Sequence, residues 1–220
     1  MKKYILLILA TILIVLACKN DEDNDVSTID TFHKDYYNIN ISPAIANFKS
    51  EIEKQIVLSE KLKNNTSIEN LNELQEQWLI SAKAFSKTRA YNVLAIKALY
   101  YDIILYNFPI KPGFIEDNIA EKNTYNSDYF RNNSTVSKGL GTLEYLLYNN
   151  QNTNKALSLL KEDSYRIDYL LGVTEEVLRQ TNLLINFWES EYKETFIKAT
   201  SISCSENARC LAFNQLINIL

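Results

Sequence analysis

Glu144 follows Gly141 by three residues and Gly139 by five, in the stretch GLGTLEYLLYN. A carboxylate at the opening of an apolar helical run has two uses. It can complement the positive end of the helix dipole, or it can give one oxygen ligand to a hard cation if Asp or Glu side chains converge on it from elsewhere. Two glycines this close, in a chain with four, suit a helix entry that packs tightly against a neighbour. They do not suit a phosphate cradle. No strand pattern precedes them, and the dinucleotide fingerprint needs Gly or Ala where Glu144 stands.

Other chemistry is thinner. EDNIAE brings together Glu116, Asp117 and Glu121, which either bind a cation or solvate a loop. A Ser-His-Asp or Cys-His relay would have to recruit His33, the one histidine. It lies beside a polar N-terminal segment and reads as a solvated linker residue, badly placed for a rigid site. The fourteen tyrosines, including the pairs Tyr36-Tyr37 and Tyr100-Tyr101, could line a groove. A packed ring with its hydroxyl at the surface is the commoner arrangement.

The elements that must position these groups read as helices. Ser42 as N-cap with Pro43 at the first helical position opens a run with Ile45, Phe48, Ile52 and Ile56 on one face. Thr66 and Glu69 have capping-box spacing ahead of Leu71, Leu74, Trp78, Ala82 and Phe85. AYNVLAIKALYYDIILYNFP continues as a helix apolar nearly all round, expected to be buried and to end at Pro109 and the Pro112-Gly113 pair. Residues 110–137 are polar and turn-rich, and are expected to form short turns packed over a bundle end. Leu140–Tyr148 is helical. A long helix with Ile167, Leu171, Val177, Leu178, Leu184, Ile185 and Trp188 follows, and the chain closes on the apolar RCLAFNQLINIL. Period-two alternation never persists. The expected fold is an all-α, up-and-down helical bundle.

The N-terminus carries an address. Lys2 and Lys3, an uncharged run from Ile5 to Ala17 and then Cys18 have the layout of a secretory signal, and the run is too short for the ~20 residues of a membrane-spanning helix. VLAC resembles a bacterial lipobox, with Cys18 as the lipidated N-terminus after cleavage. KNDEDND then forms an acidic tether that resembles the surface-export signal of Bacteroidota lipoproteins. The expected organisation is a signal peptide over 1–17, a lipidated tether over 18–35 and a helical domain over 36–220. Loss of the signal takes the net charge of −4 to about −6, with no basic stripe of the kind that nucleic acid selects. Cys204 and Cys210 remain as a pair in an oxidising compartment. Six helical residues span about 9 Å, beyond the roughly 7 Å a disulfide tolerates, so a bond needs a loop and two free thiols would fit a helix.

Three pieces in order, LQEQWLISAKAFSKTRAYNV, YNFPIKPGFIED and GLGTLEYLLYN, resemble the imelysin family of helical bacterial-envelope lipoproteins over roughly residues 36–220. The resemblance implies two helical bundles, of which this chain would hold the first and the opening of a truncated second. It implies a metallopeptidase-like or iron-uptake setting, with a divalent metal or iron on the His and Glu of a Gly-x-His-x-x-Glu helix. Here the Glu is Glu144, and Gly141 stands in the histidine's place. Arg89 falls where some relatives carry an acid. The expectation is therefore a non-catalytic binding protein at the outer membrane or cell surface, the alternatives being a carboxylate-based metallopeptidase and an inactive truncated relative. Its expected partners are the membrane, through the lipid, and an envelope protein or metal ligand.

Overall fold

The structure, a computed structural model, describes residues 31–92, 94–149 and 151–198. The expectations for the leader, Cys18, the acidic tail, Cys204 and Cys210 lie outside the described residues.

The described chain is helical from its first residue, Thr31, and continues through a wider, π-type turn at Tyr37–Ile41 into α1, Ser42–Asn64. Ser42 is therefore not a cap: it sits in helical geometry, φ −59° and ψ −46°, and its N–H reaches Tyr37 O. The widened turn lies where Pro43 would otherwise crowd the preceding carbonyls and leave a bond unmade. The helical phase that results puts His33, Tyr37, Ile41 and Ile45 four apart on one buried stripe, continued by Phe48 and Ile52. His33 is thus not a solvated linker residue. It is 4% exposed, and its ring meets Phe196 edge-on at 5.3 Å.

A short turn leads to α2, Ile68–Arg89, capped by Ser67, whose side chain accepts from Asn70 N at 3.3 Å. Thr66, the expected cap, turns back and donates to Leu62 O at 3.1 Å. Leu71, Leu74, Trp78 and Phe85 are buried, each worth about 1.5–3 kcal/mol on full burial. Lys61 pairs with Glu73 across the turn, so α1 and α2 are antiparallel. Gln77 Nε2 donates to both the carbonyl and Oε2 of Glu51 at 3.0 Å, which satisfies a polar seam between them.

The expected continuation of α2 is broken. Turn bonds from Tyr91 N to Thr88 O and Asn92 N to Arg89 O end the helix. Two short helices follow, α3 at Leu94–Lys97 and α4 at Tyr101–Leu105, joined through a left-handed Tyr100. Leu99, Tyr100 and Ile103 are exposed while Ile96 and Leu105 are buried. Folding back gains burial for those two residues, which a straight rod would have carried off the end of the bundle. Pro112 does not end a helix but opens one, α5 at Pro112–Ala120, from the first helical position. With α6, Ser127–Arg131, and a 3₁₀ turn at Thr135–Ser137, it covers the bundle as expected, burying Ile115, Ile119, Tyr125 and Phe130.

α7 is Leu140–Tyr148 and α8 is Thr153–Glu162, capped by Asn152. α9, Ser164–Phe187, is capped by Asp163 and leads through a second π-type turn at Trp188–Tyr192 into α10, Lys193–Lys198. Lys63 pairs with Asp168 and Tyr37 with Glu189, so α9 runs antiparallel to α1. The main core joins α1, α2, α7 and α9. A second core gathers Tyr37, Ile41, Ile45, Leu184, Trp188 and Phe196. The all-α, up-and-down bundle stands, with no strand among the described residues.

Candidate functional site

α2 holds α7 at both ends. The Trp78 indole N–H on α2 donates to Leu140 O at 3.0 Å, fully buried, and the Tyr148 hydroxyl donates to Gln75 O at 2.7 Å. Gly139 enters the helix at φ +83° and ψ −174°, a conformation nearly confined to glycine. A Cβ there would lie 2.7 Å from Leu105 O. A Cβ on Gly141 would lie 2.8 Å from Asn107 O and 2.9 Å from Ile110 Cγ2. The loop after α4 is pressed onto the helix at the place where a side chain would project. Lys111 N donates to Val136 O at 3.1 Å and Asn107 Nδ2 to Thr135 Oγ1 at 3.1 Å, and both bonds hold the loop there.

Between this loop, α2 and α7 lies a cleft of about 560 Å3 whose walls include Trp78, Phe108, Glu144, Tyr145, Tyr148 and Gln151, in the size range of small-molecule sites. Glu144 Oε2 accepts a hydrogen bond from the Tyr106 hydroxyl at 3.0 Å. Burial first, then the charge of Glu144 and its hydrogen bond, push the Tyr106 phenol up to about 12.

Of the EDNIAE acids, Glu116 is bound at both oxygens by Arg166, Nη1 and Nη2 each at 2.8 Å, and accepts from the Tyr145 hydroxyl at 2.7 Å. Burial alone would raise the Glu116 carboxyl; the bonds from Arg166 and Tyr145 outweigh it and hold it below its usual range. Glu121 accepts from Asn123 and the Tyr129 hydroxyl. Tyr37 is buried and Tyr100 exposed, so the cleft draws its tyrosines from α7 rather than from the paired ones. Arg89 lines a separate water-sized cavity, about 20 Å3, with Tyr91 and Asn92. A second buried charge cluster escaped sequence reasoning: Glu176 accepts from Arg179 and Gln180, and Lys138 Nζ donates to Phe130 O at 2.7 Å.

A metal of the kind the resemblance implies does not fit these residues. Gly141 offers no ligand atom and its side-chain position is filled by the loop. Glu144 is one carboxylate, and the neighbouring Glu116 is committed to Arg166. Among the described residues, no group of three or more His, Cys, Asp and Glu is placed to hold an ion, whereas a catalytic zinc takes about three protein ligands. The wall residues carried a partial signal in the sequence: Glu144 and Tyr148 are four apart on one helix, so they share a face. Tyr106, thirty-eight residues from Glu144, had none. No described helix is long and apolar enough to cross a membrane.

The sequence profile of imelysin, peptidase M75, matches residues 43–219. No curated protein matches the chain. Among solved structures, the chain is similar to an imelysin-like protein from Psychrobacter arcticum 273-4, with a TM-score of 0.71 and 20% identity over 88% of this chain. It spans 58% of that protein's length. A likeness at this identity speaks for the fold, and the profile match for the family: the chain belongs to the imelysin family.

Proposed function

We propose that this imelysin-family chain is a binding protein rather than a hydrolase. It is held at the outer membrane by a lipid on Cys18, it takes its ligand in the Glu144 cleft, and it serves nutrient or iron acquisition from the cell surface. The observation that carries this reading is the contact of Asn107 O and Ile110 with the face of Gly141. It leaves the motif helix presenting one carboxylate amid aromatic walls. Zinc hydrolysis needs a metal that activates water beside an open coordination position, and a helix that offers Glu144 alone cannot assemble it. The VLAC stretch and the acidic KNDEDND tail support the anchor and its outward orientation.

Elemental analysis and calorimetric metal titration of the full chain and of Glu144→Ala test the binding reading, beside a peptidase assay with and without zinc. The expected result is no stoichiometric zinc and no cleavage in either protein. Zinc-dependent cleavage lost in Glu144→Ala would establish the metallopeptidase instead. Fatty-acid labelling that disappears in Cys18→Ala tests the anchor, and protease digestion of intact cells tests the orientation.

A further inference from the structure

Three of the polar groups on the cleft walls donate their hydrogen bonds within the protein itself. The Trp78 indole N–H goes to Leu140 O at 3.0 Å, the Tyr145 hydroxyl to Glu116 Oε1 at 2.7 Å, and the Tyr148 hydroxyl to Gln75 O at 2.7 Å. The walls keep aromatic surface and acceptors. Glu144 is the one charged residue among those lining the cleft, and the Tyr106 hydroxyl fills one of the roughly four acceptor positions a carboxylate has. The Gln151 side chain adds an amide that can accept or donate. The nearby cations are already placed. Lys111 lies over the Phe114 ring at 5.3 Å, and Arg166 lies over the Tyr145 ring at 5.8 Å with both ends bound to Glu116. Phe108 stands 81% exposed at the mouth.

A negative group within aromatic walls, with the indole and hydroxyl donors of those walls engaged, is complementary to a cation that brings its own N–H donors and an apolar body. The carboxylate accepts a charge-assisted bond while the ring faces attract the positive charge. An anionic ligand would meet the Glu144 charge with no Lys or Arg among the described lining residues to offset it. From this we infer that the cleft is a recognition site for a small organic ammonium, a protonated primary amine on an apolar chain, with Glu144 as its charge partner. The inference rests on the binding reading above and names its ligand class.

The test uses n-hexylammonium against 1-hexanol and hexanoate on the full chain, which has two tryptophans. The indole N–H signal of Trp78 is followed by NMR and assigned with Trp188→Phe. Hexylammonium is expected to shift that signal saturably and about tenfold more tightly than either isostere, the scale of a charge-assisted hydrogen bond. Glu144→Gln should abolish the preference, and Phe108→Ala should weaken all three probes while leaving hexylammonium the tightest. If hexanol or hexanoate binds as well as the amine, or the preference survives in Glu144→Gln, the ammonium assignment falls while the cleft stands as a binding site. If no probe moves the Trp78 signal, both readings fall. Stoichiometric Ca2+ or Zn2+ binding that excludes hexylammonium and is lost in Glu144→Gln would assign the carboxylate to a metal and overturn the inference.

Discussion

The Tyr106 hydroxyl donates to Glu144 Oε2 at 3.0 Å, joining the end of α4 to the motif helix across thirty-eight residues. This bond fixes the one charged group on the cleft wall, and it does so from a loop that also closes over Gly141. The state of the loop and the state of the carboxylate are therefore linked.

Tyr106 should titrate high for that reason. Its phenol is pushed up to about 12 by burial first and by Glu144 second, so Glu144→Gln is expected to bring it part of the way back toward 10. Ultraviolet difference titration against Tyr106→Phe measures this. Burial likewise raises Tyr169 and Tyr192 to about 12. A raised folded value means that the folded chain holds protons which the unfolded chain has released. The stability from these three groups is therefore complete below about pH 10, the unfolded tyrosine value, and is lost as pH rises toward 12. Urea unfolding at pH 9, 10 and 11 should show the fall, and Tyr169→Phe should flatten it.

The glycines should separate by their surroundings. Gly139→Ala is expected to cost roughly 2–4 kcal/mol, from a backbone conformation that side chains avoid and a collision with Leu105 O. Gly141→Ala gains about 1 kcal/mol of helix propensity and loses about 1–3 to overpacking against Asn107 O, a net loss of about 1. Nothing lies within 4 Å of a Cβ on Gly113, so Gly113→Ala should be neutral or stabilising by up to about 1 kcal/mol. Denaturant midpoints of the three variants give the order, and a Gly141→Ala chain as stable as Gly113→Ala would contradict the loop contact.

Arg166 and Glu116 should respond unequally. Arg166 is 4% exposed, whereas the Glu116 side chain is 43% exposed. Glu116→Ala strands a buried guanidinium and is expected to cost about 3 kcal/mol, the low end for a broken buried pair. Arg166→Met leaves a carboxylate that water and Tyr145 can serve, for about 1–2 kcal/mol. The lowered Glu116 value makes its contribution complete above about pH 4.3, with loss below that as pH falls through the folded value. Acid unfolding curves should show a shallower low-pH fall in Glu116→Ala than in the parent.

Much of the fold was legible because helix signals are local. The bounds Leu140–Tyr148 match the apolar run that marks them, and Leu71, Leu74, Trp78 and Phe85 are buried at the spacing that implies it. The misreadings have one cause. Ser42, Thr66 and Pro112 each carry a boundary signal in their residue type, but the neighbouring turn decided how it was used. His33 was assigned by its closeness to a polar tail, when a four-residue stripe with Tyr37 and Ile41 buries it. The apolar stretch after Arg89 was long enough for a helix. Its hydrophobicity alone could not distinguish a rod from a chain that folds back to bury Leu105.

By itself, then, the sequence determined the long helices, their antiparallel order, the family and the two glycines and one glutamate that mark the motif, because period and motif spacing act within a few turns of chain. Only the tertiary structure decided what surrounds Glu144. The Tyr106 hydroxyl, the Trp78 indole and the carbonyl of Asn107 come from segments thirty to seventy residues away. Their meeting depends on how the loop after α4 packs, and no local preference encodes that.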